Sequence, residues 1–172
     1  MCASTPQLLS TQHALAAAKV TRIRATETDS VTFRQLLHEL TLMLVTAATA
    51  DLPLQPCTVQ TPLSTAEGSQ LMDNITLVPV LRAGLGMVSG ASLLLPQASI
   101  WHIGIKRNEQ TKLPHAYYAN RPESHHASLA LVLDPMLATG GSVVVACDML
   151  KSWGVTRIKF IGIIAAPPGV AR

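Results

Sequence analysis

The feature that most constrains this chain is a fully apolar run at residues 129–133 that ends in a carboxylate, Asp134. A strand without polar alternation is expected at the centre of a sheet that is covered on both faces. A glycine turn and an amphipathic helix follow it, and residues 75–80 begin a second unit of strand, glycine loop and helix. Two further strands are predicted at residues 99–106 and 157–165. This order predicts an α/β fold, with a parallel sheet flanked by helices.

The region before the first of these strands has a helical pattern. Thr32 and Gln35 have the spacing of a capping box, and apolar residues follow at helical intervals. We expect this helix to end near Ala50, because an aspartate and a proline follow closely. Residues 58–63 alternate and predict a short strand, whereas residues 65–73 are polar and predict a loop. The α/β sheet is therefore expected to carry a helical N-terminal region.

Composition and charge restrict the class of protein. The 172 residues suffice for one domain, which we expect to span residues 1–172, and the 48% hydrophobic and 13% charged residues are atypical of a disordered chain. A net charge of +3 is too small to predict a nucleic-acid partner. The longest uncharged stretch, residues 83–105, contains proline and glycines, so no membrane span is expected. The widely spaced Cys2, Cys57 and Cys147 argue against a disulfide framework and a structural metal site. We therefore expect a cytoplasmic protein without a clustered metal site.

The loop after the apolar strand has the residues of a phosphate site. Residues 139–142 (Thr-Gly-Gly-Ser) would present backbone N–H groups and hydroxyls at a helix N-terminus, where an anion is favoured. Asp134 would repel a phosphate, so its expected partners are hydroxyl groups, such as those of a sugar, or a metal-bound ligand. Thr-Gly-Gly alone is more often an ordinary helix start. The carboxylate five residues upstream favours the binding site.

Two other predicted strand ends carry cations. Arg82 lies in the glycine loop 82–86, where a guanidinium can bind phosphate or can be solvated, and the sequence supports both interpretations equally. Lys106 and Arg107 end the next strand, although adjacent basic residues are usually a solvated surface. Parallel strands place these ends at one edge of the sheet. The combination therefore predicts a ligand with two separate phosphate groups and a sugar.

Three segments together resemble the uracil phosphoribosyltransferase family. They are residues 78–87 (VPVLRAGLGM), 107–109 (RNE) and 133–142 (LDPMLATGGS), with weaker similarity at 33–51 and 161–170. The Asp-Pro pair in the third segment is similar to the uracil branch of the phosphoribosyltransferases. The resemblance implies a phosphoribosyltransferase-like fold and transfer of ribose 5-phosphate from 5-phosphoribosyl 1-diphosphate to uracil, giving UMP and diphosphate. It also implies Mg²⁺ with the donor, a homodimer or homotetramer, and regulation by GTP in some members.

The resemblance also implies roles for individual residues. Residues 139–142 would hold the 5-phosphate, Asp134 would bond the ribose hydroxyls, and Arg107 would reach the diphosphate, with Asp134 and Arg107 as the catalytic residues. The segment between Asn108 and Pro122 would be a mobile flap over the donor. The implied donor-binding residues are Arg82, Ala83, Gly84, Arg107, Asp134, Pro135, Met136, Leu137, Ala138, Thr139, Gly140, Gly141 and Ser142.

One part of the family pattern has no counterpart in the sequence. The family has a further strand and a glycine-rich loop with Gly-Asp-Ala that contacts uracil, whereas this sequence ends at Arg172 after the segment 163–170. The sequence therefore predicts the donor half of the site without the base half. The alternative expectation is an impaired donor-binding paralogue, or a truncated subunit that acts as a sensor or partner.

Overall fold

The computed structural model describes residues 8–107, 110, 113–122 and 126–171. Its helices and strands follow in chain order: α1 (Ala14–Ile23), α2 (Ser30–Ala48), β1 (Leu54–Gln60), β2 (Thr65–Leu71), β3 (Ile75–Leu81), α3 (Leu85–Leu94), β4 (Ser99–Ile100), β5 (His102–Arg107), β6 (Pro114–Asn120), β7 (Leu129–Leu133), β8 (Met136–Leu137), α4 (Gly141–Ser152), β9 (Arg157–Ile161), β10 (Ile164–Ala165) and α5 (Pro167–Val170).

The main sheet has the order β6-β5-β3-β7-β9, and β4 pairs with β3 beside this path. All of its pairings are parallel except that of β6, which runs antiparallel to β5. The predicted parallel α/β sheet is thus confirmed. The strand predicted at 99–106 is instead two strands, β4 and β5, which are interrupted at Trp101. The Trp101 side chain is 1% exposed.

Strand β7 is the centre of the core, as its apolar run predicts. Its five residues are all fully buried. Leu129, Leu131 and Leu133 pack on one face in a cluster with residues of α1, α2 and α3. Ala130 and Val132 pack on the other face in a cluster with residues of α4. The two faces follow from the two-residue period of a strand, and burial of apolar area on both of them is the main stabilising contribution.

The N-terminal region is helical, but α2 begins differently from the prediction. Its N-cap is Asp29, whose Oδ1 accepts hydrogen bonds from Val31 N at 2.8 Å and Thr32 N at 3.0 Å. Thr32 lies inside the first turn and donates its hydroxyl to Asp29 Oδ2 at 2.8 Å. The predicted Thr32–Gln35 capping box is therefore wrong, because the helix begins at Ser30 and Asp29 caps its first turn.

The predicted loop at 65–73 is also wrong. Residues 65–71 form β2, which pairs antiparallel with β1 in a two-stranded ribbon separate from the main sheet. The strand predicted at 58–63 correspondingly begins at Leu54 and ends at Gln60. Most residues of both strands are exposed, and β2 lacks the apolar period by which a half-buried strand is identified.

The strand predicted at 157–165 is interrupted. Residues 157–161 form β9 in the main sheet, whereas Ile164 and Ala165 form β10, which pairs in parallel with Met136 and Leu137 of β8. The second part therefore lies along the loop that follows β7. No helix among the described residues is long and apolar enough to cross a bilayer.

Candidate active site

Both glycine loops lie beyond the carboxyl ends of neighbouring parallel strands, β3 and β7. They are packed so closely that a Cβ atom on Gly84 would lie 2.2 Å from the carbonyl oxygen of Leu133 and 2.7 Å from Val80 N. Gly84 is therefore required by close backbone approach. The peptide bond between Leu81 and Arg82 in the first loop is cis. The predicted convergence of the two loops at one edge of the sheet is confirmed in the backbone.

The N-terminus of α4 has the character of an anion site. Its N-cap, Gly140, has a φ of 75°, and no side chain of the described residues caps the helix there. Its first turn has no acidic residue. The first N–H groups of a helix have no partner within the helix, and the helix dipole places partial positive charge there. Residues 139–142 therefore provide N–H donors for a phosphate-sized anion.

The loop between β7 and α4 is held by the end of the chain that the structure describes. Strand β10 pairs with β8 within this loop. A Cβ on Gly169 of α5 would lie 2.9 Å from the carbonyl oxygen of Ala138 and 3.0 Å from that of Leu137. This support on the outer side of the loop fixes the backbone that leads into the anion site.

Asp134 is half-buried at the carboxyl end of β7. Burial raises the pKa of its carboxyl group, and the hydrogen bond from Met136 N to Asp134 Oδ1, at 3.3 Å, acts in the opposite direction. A carboxylate in this setting gains from further hydrogen-bond donors, such as the hydroxyl groups of a sugar.

Arg107 approaches the same loop from the end of β5. Its Nη2 donates a hydrogen bond to Thr139 Oγ1 at 3.1 Å. Arg107 and the loop enclose a cavity of about 110 Å³, which is lined by Arg107, Asp134, Met136, Leu137, Ala138, Thr139, Gly140, Gly141, Ser142 and Val143. A guanidinium, a carboxylate and an uncapped helix N-terminus are thus brought together.

Not every predicted site residue lies in this cavity. Pro135 follows Asp134 in the same loop without lining the cavity, and Arg82, Ala83 and Gly84 lie in the neighbouring loop, where Arg82 and Ala83 are exposed. Val143 lines the cavity although it was not predicted, because an apolar residue inside a helix carries no chemical signal.

The predicted flap between Asn108 and Pro122 is described only in part. Asn108, Glu109, Thr111 and Lys112 lie outside the described residues. Residues 114–120 form β6, so Tyr117 and Tyr118 belong to a hairpin with β5.

A larger cavity of about 580 Å³ lies at the opposite, amino edge of the sheet. It is lined by residues 71, 73–75, 94–99 and 126. Its carboxylate, Asp73, already binds Arg157 Nη1 at 2.8 Å and the Ser128 hydroxyl at 2.8 Å. This cavity is the larger of the two, but the smaller one has the better chemistry for a ligand, because no side chain of the described residues caps the helix N-terminus that lines it.

Comparisons with known proteins identify the family of the chain. The sequence model of the family "Uracil phosphoribosyltransferase" matches residues 10–172. The chain is 49% identical over 164 residues to a uracil phosphoribosyltransferase of Roseiflexus castenholzii, covering 95% of this chain and 79% of that protein. It is 46% identical over 159 residues to a uracil phosphoribosyltransferase of Ureaplasma parvum, covering 92% and 77% of the two chains.

Solved structures give the same result for the fold. The structure of AQ2163 protein from Aquifex aeolicus superimposes with a TM-score of 0.88 and 37% identity, covering 95% of this chain and 79% of that chain. A hypoxanthine phosphoribosyltransferase from Staphylococcus aureus has a TM-score of 0.55 at 13% identity, covering 78% of this chain and 65% of that chain, so it supports the fold alone.

Proposed function

The chain belongs to the uracil phosphoribosyltransferase family, and we propose on this basis that the cavity beside Arg107 binds the 5-phosphate and ribose of 5-phosphoribosyl 1-diphosphate. The protein is an enzyme of the glycosyltransferase type that transfers ribose 5-phosphate from this donor to uracil, giving UMP and diphosphate in pyrimidine salvage. The single observation that carries the placement of the donor is the uncapped N-terminus of α4 facing Arg107.

The 5-phosphate is assigned to residues 139–142. Their N–H groups and the hydroxyls of Thr139 and Ser142 supply hydrogen-bond donors, and the dipole of α4 adds a favourable field. Asp134 accepts hydrogen bonds from the ribose hydroxyls at the adjoining end of β7. The hydrogen-bond donors of the loop are thus assigned to the phosphate, and the carboxylate acceptor is assigned to the sugar hydroxyls.

The diphosphate is assigned to the cationic side of the site. Arg107 already reaches the loop, at 3.1 Å from Thr139 Oγ1, and a bound donor would compete for this guanidinium. Arg82, Ala83 and Gly84 lie at the end of the neighbouring strand and are proposed to bind the same group. Cleavage of the bond between C1 and oxygen leaves positive charge on the sugar and increases the negative charge on diphosphate. Positive groups fixed around the diphosphate therefore stabilise the transition state.

Magnesium fits this donor set as an ion carried by the substrate. The described residues contain no group of three or more His, Cys, Asp or Glu side chains that could hold a metal ion. Mg²⁺ is commonly bound through one or two carboxylates together with substrate phosphates, and Asp134 is a carboxylate beside the proposed phosphate site. When bound, the ion would neutralise charge on the diphosphate, while Asp134 and Arg107 orient the donor.

Donor binding without turnover is not favoured. The curated relatives that match across 92–95% of this chain are named as uracil phosphoribosyltransferases, and the family model reaches residue 172. The enzyme is therefore the conclusion, and a sensor or partner role is an outcome that the activity assay distinguishes.

A homodimer or homotetramer is proposed from the ribbon of β1 and β2. The ribbon lies apart from the main sheet, and Leu54, Val59, Leu63 and Leu71 on it are exposed, with Leu63 97% exposed. An isolated two-stranded hairpin is marginal in water, so a covering surface would stabilise it. Light scattering on the purified protein tests this proposal, and a monomer at micromolar concentration would contradict it.

GTP as an effector and a cytoplasmic location are further proposals that rest on the family resemblance. A change in the rate of UMP formation when GTP is added at fixed donor concentration would support the first. Fractionation of cells that express the protein tests the second, and recovery with membranes would contradict it.

The test of the proposed function is UMP formation from uracil and Mg²⁺-phosphoribosyl diphosphate by the purified protein. The wild type should form UMP, the Arg107→Ala variant should require a much higher donor concentration, and the Arg157→Ala variant, at the opposite edge, should resemble the wild type. Folded protein that binds the donor without forming UMP would contradict the enzyme and support the donor-binding alternative.

A further inference from the structure

Arg121 lies in a cluster with both tryptophans of the chain, at the amino edge of the sheet. The ring centroids of Trp101 and Trp153 are 6.0 Å apart with an interplanar angle of 64°. The Arg121 guanidinium carbon lies 5.8 Å from the centroid of the Trp101 ring. Trp101 directly precedes β5, Arg121 directly follows β6, and Trp153 is the C-cap of α4. The cluster therefore joins the β5–β6 hairpin to the C-terminus of α4.

A hydrogen bond also joins Arg121 to the C-terminus of α4. Nη1 of Arg121 donates to the carbonyl oxygen of Trp153 at 3.2 Å. Carbonyl groups at a helix C-terminus lack partners within the helix and carry partial negative charge, so a guanidinium is favoured there. The contact with the Trp101 ring is a cation–π interaction of the usual range. Arg121 is thus held by α4 on one side and by the start of β5 on the other.

Two buried polar atoms of this cluster are not paired. Among the described residues, Arg121 Nε and Trp101 Nε1 are buried side-chain atoms without a hydrogen-bond partner. Buried polar atoms without partners reduce stability, and native structures contain few of them. Arg121 is therefore held in this position by its bond to Trp153 and its contact with the Trp101 ring, although its Nε has no partner among the described residues.

The opposite end of the same hairpin reaches the donor site. In the antiparallel register, His102 of β5 pairs with Asn120 of β6, and Arg107 pairs with Pro114. Arg121 therefore lies next to one end of the hairpin and Arg107 at the other. Arg107 donates to Thr139 just before α4, whereas Arg121 donates to Trp153 just after it. The hairpin is bound to α4 at both ends of the helix.

We propose that Arg121 is a positioning residue for the donor site, which fixes the β5–β6 hairpin on α4 and thereby places Arg107 beside Thr139. The inference rests on the proposed function, in which Arg107 binds the donor. Arg121 lies at the opposite edge from the donor and acts only through Arg107. Its removal should therefore weaken donor binding in a way that depends on Arg107.

The test is a double-mutant cycle measured by titration calorimetry, with Mg²⁺-phosphoribosyl diphosphate as the probe. Low ionic strength keeps phosphate contacts measurable in weakened variants. Arg121→Met should weaken binding by about 2- to 30-fold, the range expected for mutations that modulate coupling between sites. Arg121→Lys should restore part of this loss, because it keeps a cation over Trp101. In an Arg107→Ala background, Arg121→Met should have no further effect.

Arg157→Met is the matched control, since it removes another guanidinium at the amino edge. Arg157 lies on β9 and is paired with Asp73 rather than with the hairpin. It should lower stability without changing donor affinity. Tryptophan fluorescence and near-UV circular dichroism verify that each variant is folded, because both tryptophans lie in the cluster. If Arg121→Met does not fold, Arg121→Lys replaces it in the double-mutant cycle, and the expected loss of donor affinity is then smaller.

Two results would overturn the inference while leaving the proposed function intact. The first is unchanged affinity in folded Arg121 variants, and the second is an equal loss in the Arg107→Ala background. Wild-type protein that binds no donor would instead overturn the proposed function, and the role of Arg121 with it.

Discussion

The two cavities, at opposite edges of the sheet, differ in how far the polar groups that line them are already paired. At the amino edge, a cavity of about 580 Å³ contains Asp73, which is paired with Arg157 and bonded to Ser128. At the carboxyl edge, a cavity of about 110 Å³ joins an uncapped helix N-terminus, a half-buried carboxylate and Arg107. The smaller cavity is the better candidate because its donors and its carboxylate gain partners when a ligand binds.

The N-termini of α2 and α4 differ in the same way, since one is capped by a side chain and the other is not. Asp29 caps α2 through bonds to Val31 N and Thr32 N, and these bonds, the one from Thr32 N first, lower the pKa of its carboxyl group. The N-terminus of α4 begins at Gly140, without a side-chain cap from the described residues. The start of α2 is thus capped by a side chain, whereas the start of α4 is the proposed binding site for an anion.

The largest effect is expected when a carboxylate is placed in the first turn of α4. The Ser142→Asp variant places a carboxylate where the 5-phosphate is proposed to bind. Two unit charges 4 Å apart at an effective dielectric of 20 repel by about 4 kcal/mol, so donor affinity should fall by about 100-fold or more. Thermal stability should be retained, because an acidic residue in the first turn is favourable. Calorimetry and thermal melts measure both, and unchanged donor affinity would refute the anion site.

The Ser142→Asn variant is the control for this comparison. It has nearly the same shape as the aspartate variant but no charge, so it should retain most of the donor affinity. Equal losses in the two variants would indicate a steric effect rather than an electrostatic one.

Removal of Arg107 should give the next largest effect. Loss of a charge-assisted bond to the diphosphate costs about 2–3 kcal/mol, so Arg107→Ala should weaken donor binding by about 30- to 150-fold. The side chain is exposed, and the melting temperature should change little. Arg157→Ala removes the same charge at the amino edge and should leave donor affinity unchanged. Equal affinities of the two variants would remove the distinction between the edges.

Asp134→Asn should have a smaller effect that depends on pH. The variant keeps a hydrogen-bonding side chain but loses the charge, at a cost of about 1.5 kcal/mol or 10-fold in donor affinity at neutral pH. Burial raises the pKa of Asp134 in the folded protein above its value in the unfolded chain. The free energy of unfolding of the donor-free protein therefore falls as the pH rises from the pKa of Asp134 in the unfolded chain to its pKa in the folded protein. Donor affinity should change in the opposite direction, because the ionised carboxylate accepts the ribose hydroxyls.

The pH profile of the asparagine variant separates this group from the titration of the donor phosphates. The donor phosphates ionise in the same way with the wild type and with the asparagine variant. The difference between the two pH profiles of donor affinity therefore reports the ionisation of Asp134. Parallel profiles across the acidic range would contradict its role as the ribose acceptor.

The smallest effect on binding is expected at the amino edge. Asp73→Asn breaks the ion pair with Arg157 and should lower the free energy of unfolding by about 1 kcal/mol, a modest value because Arg157 is 41% exposed. Donor affinity should stay within about twofold of the wild type. A loss comparable to that of Arg107→Ala would show that the larger cavity takes part in donor binding.

The elements that the sequence predicted correctly are those in which local pattern and tertiary position coincide. The apolar run of β7 predicts a central strand because both of its faces are buried, and its glycine loop predicts the start of α4. The convergence of both loops followed from parallel topology, since it needs no knowledge of side-chain contacts.

The elements that were missed depend on partners far along the chain or on exposure. Strand β2 lacks an apolar period because its ribbon is mostly exposed. The contact of Arg121 with Trp101 joins the two sides of a hairpin at its open end, and no local pattern indicates it. The bond from Arg107 to Thr139 likewise spans 32 residues. The sequence could therefore predict a cation at the end of this strand, but not which residue its side chain contacts.

The most direct test of the account is a crystal structure of the protein with Mg²⁺ and phosphoribosyl diphosphate. The account predicts the 5-phosphate at the N-terminus of α4, within hydrogen-bonding distance of the N–H groups of residues 139–142, with the ribose hydroxyls on Asp134 and the diphosphate beside Arg107. A donor bound in the cavity of the amino edge, with the N-terminus of α4 free of phosphate, would contradict it.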